Sequence, residues 1–225
     1  MLEKEYFLEK YRITENKFNQ TNLSWKELQD IYTDYNNNIK KEAEDVIDNV
    51  VKKLRKSPDI HSIRARVKDP EHLIEKIIRK KIKDPERIIS IENYKNEITD
   101  IIGIRMICLF KKNIKKMDTY IKDLRYKFNS QPTVNIREGD NQIFYKGIGE
   151  IKVHPAGYRS VHYNIKACDS SGEDYYICEV QLRTIFEEAW GEIDHTIRYP
   201  YLQEDPHLND YFKALNRLSG LADEM

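Results

Sequence analysis

From Asp100 the chain runs Ile101-Ile102-Gly103-Ile104-Arg105-Met106-Ile107-Cys108, a stretch with Arg105 as its one charged side chain after Asp100. A run that is apolar at alternating and intervening positions alike forms a strand covered on both faces. That requirement calls for a sheet wrapped by helices, and the neighbouring segments supply them. Trp25, Leu28, Ile31, Tyr32 and Tyr35 recur at three- and four-residue spacing and lead on to Val46, Val50, Val51 and Leu54. The spacing predicts one long helix, capped by Ser24 or Asn22 and ended at Ser57-Pro58. Pro70 suits the first turn of a helix through Leu73, Ile74, Ile77 and Ile78. Residues 115–128 and 185–198 read as further helices, the second ending before Pro200. Strands are expected at 60–68, within 98–110, near 159–167 and at 174–183, the last two joined by the hairpin signal Ser170-Ser171-Gly172. The expectation is an α+β fold, a mixed sheet with helices around it. Residues 1–58 form its N-terminal helical extension, 59–199 the central domain, and 200–225 a C-terminal helical segment. That segment stops at Met225 with no C-cap glycine beyond it, which predicts a longer parent protein.

The polar content is concentrated between His154 and Trp190. The segment opens His154-Pro155-Ala156-Gly157-Tyr158-Arg159-Ser160-Val161-His162-Tyr163 and later reads Glu179-Val180-Gln181-Leu182-Arg183-Thr184. A period of two sends Tyr158, Ser160 and His162 to one face, and likewise Glu179, Gln181 and Arg183. Strands built for stability carry Val, Ile or Thr at such positions. A face bearing carboxylate, guanidinium, imidazole and phenol handles a charged, polar ligand.

Charge narrows the ligand. The 38 basic side chains balance 38 acidic ones, so the chain as a whole has no pull toward DNA or membranes. Residues 51–87, however, hold 13 Lys/Arg against 6 Asp/Glu, while the last quarter is acidic. A local basic arm suits a compact polyanion such as a nucleotide phosphate, and equally a solvated helix face. Cys108, Cys168 and Cys178 are too few for a disulfide framework and lack zinc spacing; Cys108 and Cys178 read as buried thiols. The acidic N-terminus does not resemble a secretory signal, and no apolar stretch approaches the ~20 residues of a membrane span. A cytoplasmic protein is expected.

Asp100 and Glu179 interrupt strand-like segments, and a buried carboxylate requires a cation. Carboxylates on adjacent strands form a cradle for Mg²⁺, which keeps waters and takes further oxygens from a triphosphate. The alternative for each acid is an ordinary salt bridge. Arg64, Arg66 and Lys68 alternate along a short strand, as phosphate clamps or as charges guarding a sheet edge. Tyr158, after a glycine, stacks on a base or simply packs. Neither GxxxxGK[ST] nor GxGxxG occurs. A Cys108–His162–Asp100 nucleophile triad is disfavoured by the apolar run around the thiol. Glu192 and His195 match half of a di-iron motif, and with Glu188 they line one helix face that supports the sheet site.

The stretches RARVKDPEHLIEK (64–76), DIIGIRMICLF (100–110), GYRSVHY (157–163) and EVQLRTIFEEAWGEIDH (179–195) resemble the synthetase domain of RelA/SpoT alarmone synthetases, especially its small stand-alone members. The resemblance implies a nucleotidyltransferase-like fold and transfer of pyrophosphate from ATP to the ribose 3′-OH of GDP or GTP. On that footing Asp100 and Glu179 hold Mg²⁺, and Glu179 also serves as general base. Arg66 and Arg105 sandwich adenine, while Lys68, Lys76 and Arg64 neutralise phosphates. Tyr158 stacks on guanine, with His162, Gln181 and Arg183 orienting the acceptor.

The chain departs from the pattern in places. His154 stands where alarmone synthetases often carry Lys, which makes a phosphate contact weaker or pH-dependent. The stretch between Lys76 and Asp100 is longer, and no HD-type hydrolase segment is present, so synthesis without degradation is expected. Some relatives instead modify the 3′ end of tRNA or use adenine nucleotides, and the basic arm would suit RNA. A catalytically silent nucleotide-binding domain is the reading from another class. A homo-oligomer built through the helical ends, or control by a C-terminal part or partner protein, is compatible with the sequence.

Overall fold

The computed structural model describes residues 2–168, 172, 175–198 and 206–224. Helices α1 (Lys4–Lys10), α2 (Glu15–Asn19), α3 (Trp25–Asp34) and α4 (Lys40–Leu54) precede β1 (Ile60–Val67) and α5 (Pro70–Lys83). Then come α6 (Tyr94–Glu97), β2 (Ile102–Cys108), α7 (Ile114–Asp123), β3 (Lys127–Phe128), β4 (Thr133–Ile136) and β5 (Glu150–Val153). β6 (Ser160–Cys168), β7 (Tyr175–Thr184), α8 (Ile185–Arg198) and α9 (Pro206–Glu224) complete the chain. The strands form one sheet in the order β1-β2-β7-β6-β4-β5, with β3 paired to β6. It is mixed, since β4 runs parallel to β5 and antiparallel to β6. The expected α+β class is therefore the observed one. Residues 170 and 171 of the expected hairpin turn lie outside the described residues, as does the Pro200 stop.

Two compact units divide the chain. The first comprises Met1–Asp48, Arg66–Gly103 and Ala167–Cys178, the second Asn49–Ala65, Ile104–Lys166 and Glu179–Met225. On β6, Ala167 and Cys168 fall in the first unit and the rest of the strand in the second. In the first, Ser24 caps α3 through a reciprocal box: its hydroxyl accepts from the Glu27 amide at 3.2 Å, and Glu27 accepts from the Ser24 amide at 2.8 Å. Asn22 does not cap, because it sits in the left-handed region at φ 56°. The expected single helix is interrupted by a π-helical turn at Tyr35–Ile39, through Asn36, Asn37 and Asn38. The wider turn keeps Tyr35 and Ile39 both buried, and the Tyr35 hydroxyl donates to the Lys68 carbonyl at 2.6 Å. Asp69 caps α5, accepting from the amides of Glu71 and His72, with Pro70 in the first turn as the sequence predicts. Leu28, Ile31, Leu73, Ile74, Ile77 and Ile98 fill this core, each contributing about 1.5–3 kcal/mol.

In the second unit β6 alternates cleanly: Val161, Tyr163 and Ile165 are buried, while His162, Asn164 and Lys166 are not. Val180 and Leu182 do the same for β7, leaving Glu179 and Gln181 on the polar face. The helix expected over 115–128 is shorter. It ends at Asp123 because Arg125 adopts φ 56° as a left-handed terminator, and Lys127–Phe128 then pairs with Lys166 and Ile165 of β6. Trp190 of α8 is buried and donates to the Phe212 carbonyl of α9 at 3.2 Å.

Candidate functional site

In the first unit Asp100 occupies the turn just before β2, not the strand itself. Its Oδ2 accepts from Lys68 Nζ at 2.9 Å and Lys76 Nζ at 2.7 Å. Lys68 is held there because its amide donates to the Ile101 carbonyl at 2.8 Å, and Lys76 projects from α5. Asp100 thus meets the cation its burial demands. Burial works to raise its pKa, yet the two ammonium groups prevail and hold it below the usual carboxylate range. Burial lowers the Lys68 pKa despite Asp100. Two ammonium groups around one carboxylate leave a positive excess, suited to an anion. Asp100 Oδ1 is buried and has no partner, a donor atom open to a cation. On β1 both Arg66 and Arg64 are exposed.

The second unit brings Tyr158, His162, Glu179, Gln181 and Arg183 into one ring of polar contacts, hydrogen bonds on every side but the 3.5 Å approach of His162 to Glu179. Tyr158 lies in the loop before β6 and not on the strand, at the turn made by Gly157 with φ +75°. Arg183 donates to the Tyr158 oxygen and, at 2.6 Å, to Gln181 Oε1. The Tyr158 hydroxyl is also hydrogen-bonded to His162 Nε2, 2.9 Å away. The other imidazole nitrogen, Nδ1, lies 3.5 Å from Glu179 Oε1. Gln181 Nε2 donates to Glu179 Oε2 at 2.5 Å. The branch from Arg183 through Gln181 ends on Glu179 as its acceptor.

Arg183 is a fixed platform. Its Cζ stands 4.9 Å from the Tyr158 ring centroid, Nε donates to Ser160 Oγ at 3.3 Å and NH1 to Glu188 Oε2 at 2.8 Å. One face of Tyr158 is therefore already occupied by a cation. Gly191 makes room, as a Cβ there would be 3.3 Å from Arg183 NH1. His154 packs edge-on to Tyr158 at 5.4 Å. Burial, with help from His162, lowers its pKa against the pull of Asp194. Arg105 of β2 donates to Glu188 and Glu192. Burial opposes its charge, but the two glutamates raise its pKa above the usual value. Glu188 and Glu192 thus support the site from one helix face, as their spacing predicts. Cys108 is buried with its thiol pushed up to about 12, chiefly by desolvation, which leaves no thiolate for a nucleophile triad. Among the described residues no three His, Cys, Asp or Glu side chains gather as metal ligands.

Sequence reading missed the layer behind Tyr158. Arg159, buried, donates through Nε to Asp140 Oδ2 at 2.7 Å. Asn216 of α9 donates to the Gly157 carbonyl at 2.8 Å, and Arg159 donates to the Asn216 carbonyl at 3.3 Å. Asn216 gives no sequence signal, lying 57 residues from Arg159.

A mixed sheet carrying such a ring on its polar face defines an α+β domain with a charged, polar cluster. The chain belongs to the RelA/SpoT family: residues 65–204 match the region found in RelA / SpoT proteins. It is 27% identical over 171 residues to GTP pyrophosphokinase YwaC of Bacillus subtilis (strain 168), spanning 73% of this chain and 71% of that protein. With GTP pyrophosphokinase YjbM of the same organism it is 29% identical over 160 residues, 67% of this chain and 64% of the relative. The crystal structure of small alarmone synthetase 1 from Bacillus subtilis superposes with a TM-score of 0.60 at 21% identity, covering 85% of this chain and 93% of that one. At that identity the likeness establishes the fold. The same synthetase has also been solved with its product pppGpp and with AMPCPP. Among the described residues no helix is long and apolar enough to cross a membrane.

Proposed function

We propose that the chain transfers the β,γ-pyrophosphate of ATP to the ribose 3′-oxygen of GDP or GTP, giving ppGpp or pppGpp and AMP. The observation that carries this reading is the ring terminating on Glu179. A carboxylate held by the Gln181 amide and faced by His162, beside a tyrosine whose one face is backed by Arg183, suits a base poised next to a stacked guanine. The 3′-oxygen attacks the β-phosphorus, its proton passes to Glu179, and the bond from that phosphorus to the α–β bridging oxygen breaks to release AMP. His162 and Gln181 hold the carboxylate in place. Positioning and charge neutralisation supply most of the rate in such transfers, a part assigned to Lys68, Lys76, Arg64, Arg66 and Arg105. The names of the two Bacillus subtilis relatives agree with this reading.

Mg²⁺ is the proposed cofactor, with Asp100 and Glu179 as its protein ligands. The support is chemical: hard carboxylate oxygens, one of them Asp100 Oδ1, buried without a partner. When bound, the ion would neutralise triphosphate charge. Lys68 and Lys76, now on Asp100, would then serve the phosphates.

Purified protein incubated with γ-labelled ATP, Mg²⁺ and, separately, GDP, GTP, ATP or deacylated tRNA tests the reading. Label on GDP or GTP is expected. Label on tRNA alone, on ATP alone, or on no acceptor would replace it with the tRNA-modifying, adenine-nucleotide or silent-binder reading respectively.

A further inference from the structure

Glu188 contributes both carboxylate oxygens to different cations. Oε1 accepts from Arg105 NH1 at 3.1 Å and Oε2 from Arg183 NH1 at 2.8 Å. Its side chain is only 10% exposed and that of Arg183 only 5%, so water has little access to substitute for either bond. Arg105 has a second partner in Glu192, which is 43% exposed. Arg183 has no other carboxylate among its described partners, and its remaining bonds go to Ser160, Gln181 and Tyr158. Glu188 therefore accepts from both the cation on β2 and the cation under Tyr158.

We infer that Glu188 is a positioning residue that couples the two nucleotide sites, tying Arg105 on the donor side to the Arg183–Tyr158 platform on the acceptor side. The inference rests on the proposed assignment of Arg105 to ATP and Tyr158 to the guanine nucleotide. Each oxygen is used once, so a rotation of the carboxylate toward one guanidinium lengthens its bond to the other. An adenine stacked on Arg105 fixes that guanidinium, which fixes Glu188 and in turn the plane of Arg183. The acceptor then meets a platform whose ordering cost has already been met, and binds more tightly. Reciprocity requires the acceptor to tighten the donor by the same factor. A glutamine at 188 keeps the shape but offers one oxygen and one NH₂ group. The NH₂ faces a guanidinium that can only donate, so the link is cut on one side.

The test is a calorimetric titration of GDP in the presence of Mg²⁺, with and without saturating α,β-methylene ATP, on wild type, Glu188→Gln and Glu192→Gln. Wild type is expected to bind GDP roughly 10-fold more tightly with the analogue present, within the usual range of allosteric coupling. In Glu188→Gln the ratio falls to about 1 while each nucleotide alone still binds, as loss of a link and not of a site requires. Glu192→Gln leaves Glu188 between the two arginines and keeps the ratio. If Glu188→Gln does not fold, Glu188→Asp, too short to span both guanidinium groups, must lower the ratio instead. An unchanged ratio in the position-188 variant, or no coupling in wild type that binds both nucleotides, overturns the inference and leaves the proposed function standing. Wild type that binds neither nucleotide overturns both.

Discussion

Glu179 accepts from Gln181 and faces His162 within a ring of polar side chains. Replacing its carboxylate by an amide preserves volume but reverses one donor direction, so the base disappears while the fold stays. Glu179→Gln is expected to lower kcat by roughly 10²–10⁴, the usual worth of a general base, with a thermal midpoint close to wild type. Residual activity near wild type would remove Glu179 from that role. Tyr158→Ala takes away the stacking surface and should raise the acceptor's KM about 5- to 150-fold, for a stacking contribution of about 1–3 kcal/mol. The ATP KM should move far less, and an unchanged acceptor KM would dismiss the stack. Most of these residues were legible in the sequence because GYRSVHY and EVQLRT place polar groups where strands ordinarily carry apolar ones. What period two could not give was the ring itself. Tyr158 precedes β6, and only the Gly157 turn brings its hydroxyl back to His162.

At the level of elements, α9 is locked to the loop that carries Tyr158. A Cβ on Gly157 would fall 2.9 Å from Asn216 Nδ2, and one on Gly220 would fall 2.7 Å from Arg159 NH2. Two glycines thus permit the close approach, and Gly220→Ala should loosen α9 through its clash with a buried guanidinium, lowering the unfolding midpoint and raising the acceptor KM together. A midpoint equal to wild type would contradict the interlock. Further along the helix, Asp223 Oδ2 accepts from Thr184 Oγ1 at 2.8 Å, while Oδ1 is buried without a partner. Burial, then the nearby Glu187, raises its pKa to about 7. An unfolded aspartate titrates near ~4, so between about 4 and 7 the folded chain holds a proton that the unfolded one lacks. Stability from this group is full below ~4 and is lost as pH rises through about 7. Asp223→Asn still accepts from Thr184 but cannot ionise. It should be more stable than wild type at pH 8 in thermal unfolding and flatter across that window, and equal pH profiles would show that Asp223 is not the titrating group. The helix periods predicted α5 and α8 well. They missed the π-helical turn at Tyr35 and the end of α7, because a left-handed Arg125 and a three-asparagine widening depend on tertiary contacts and not on apolar spacing.

Across the whole molecule, charge balance in the sequence hid how unevenly the charges are used. Asp100 and Asp140 oppose the slope set by Asp223. Burial works against both, but Lys68 and Lys76 on the first and Arg159 and Arg137 on the second lower their pKa values. A folded pKa below the unfolded one adds stability above the ordinary carboxylate pKa of ~4, lost as pH falls through the folded value. Thermal unfolding should therefore show an acid limb beginning near pH 4, and no such limb would contradict the two ion-pair clusters. The family region was legible from four short stretches, since residue types in that order are specific. The acceptor was not, because guanine, adenine and a tRNA end present similar phosphates and sugars to the same cations. The direct test of the central claim uses two ATP samples, labelled at the β- or at the γ-phosphate, with GDP and Mg²⁺. The account predicts that both labels appear together on the guanosine nucleotide with one AMP released per product. Transfer of the γ label alone, with ADP as the other product, would contradict it.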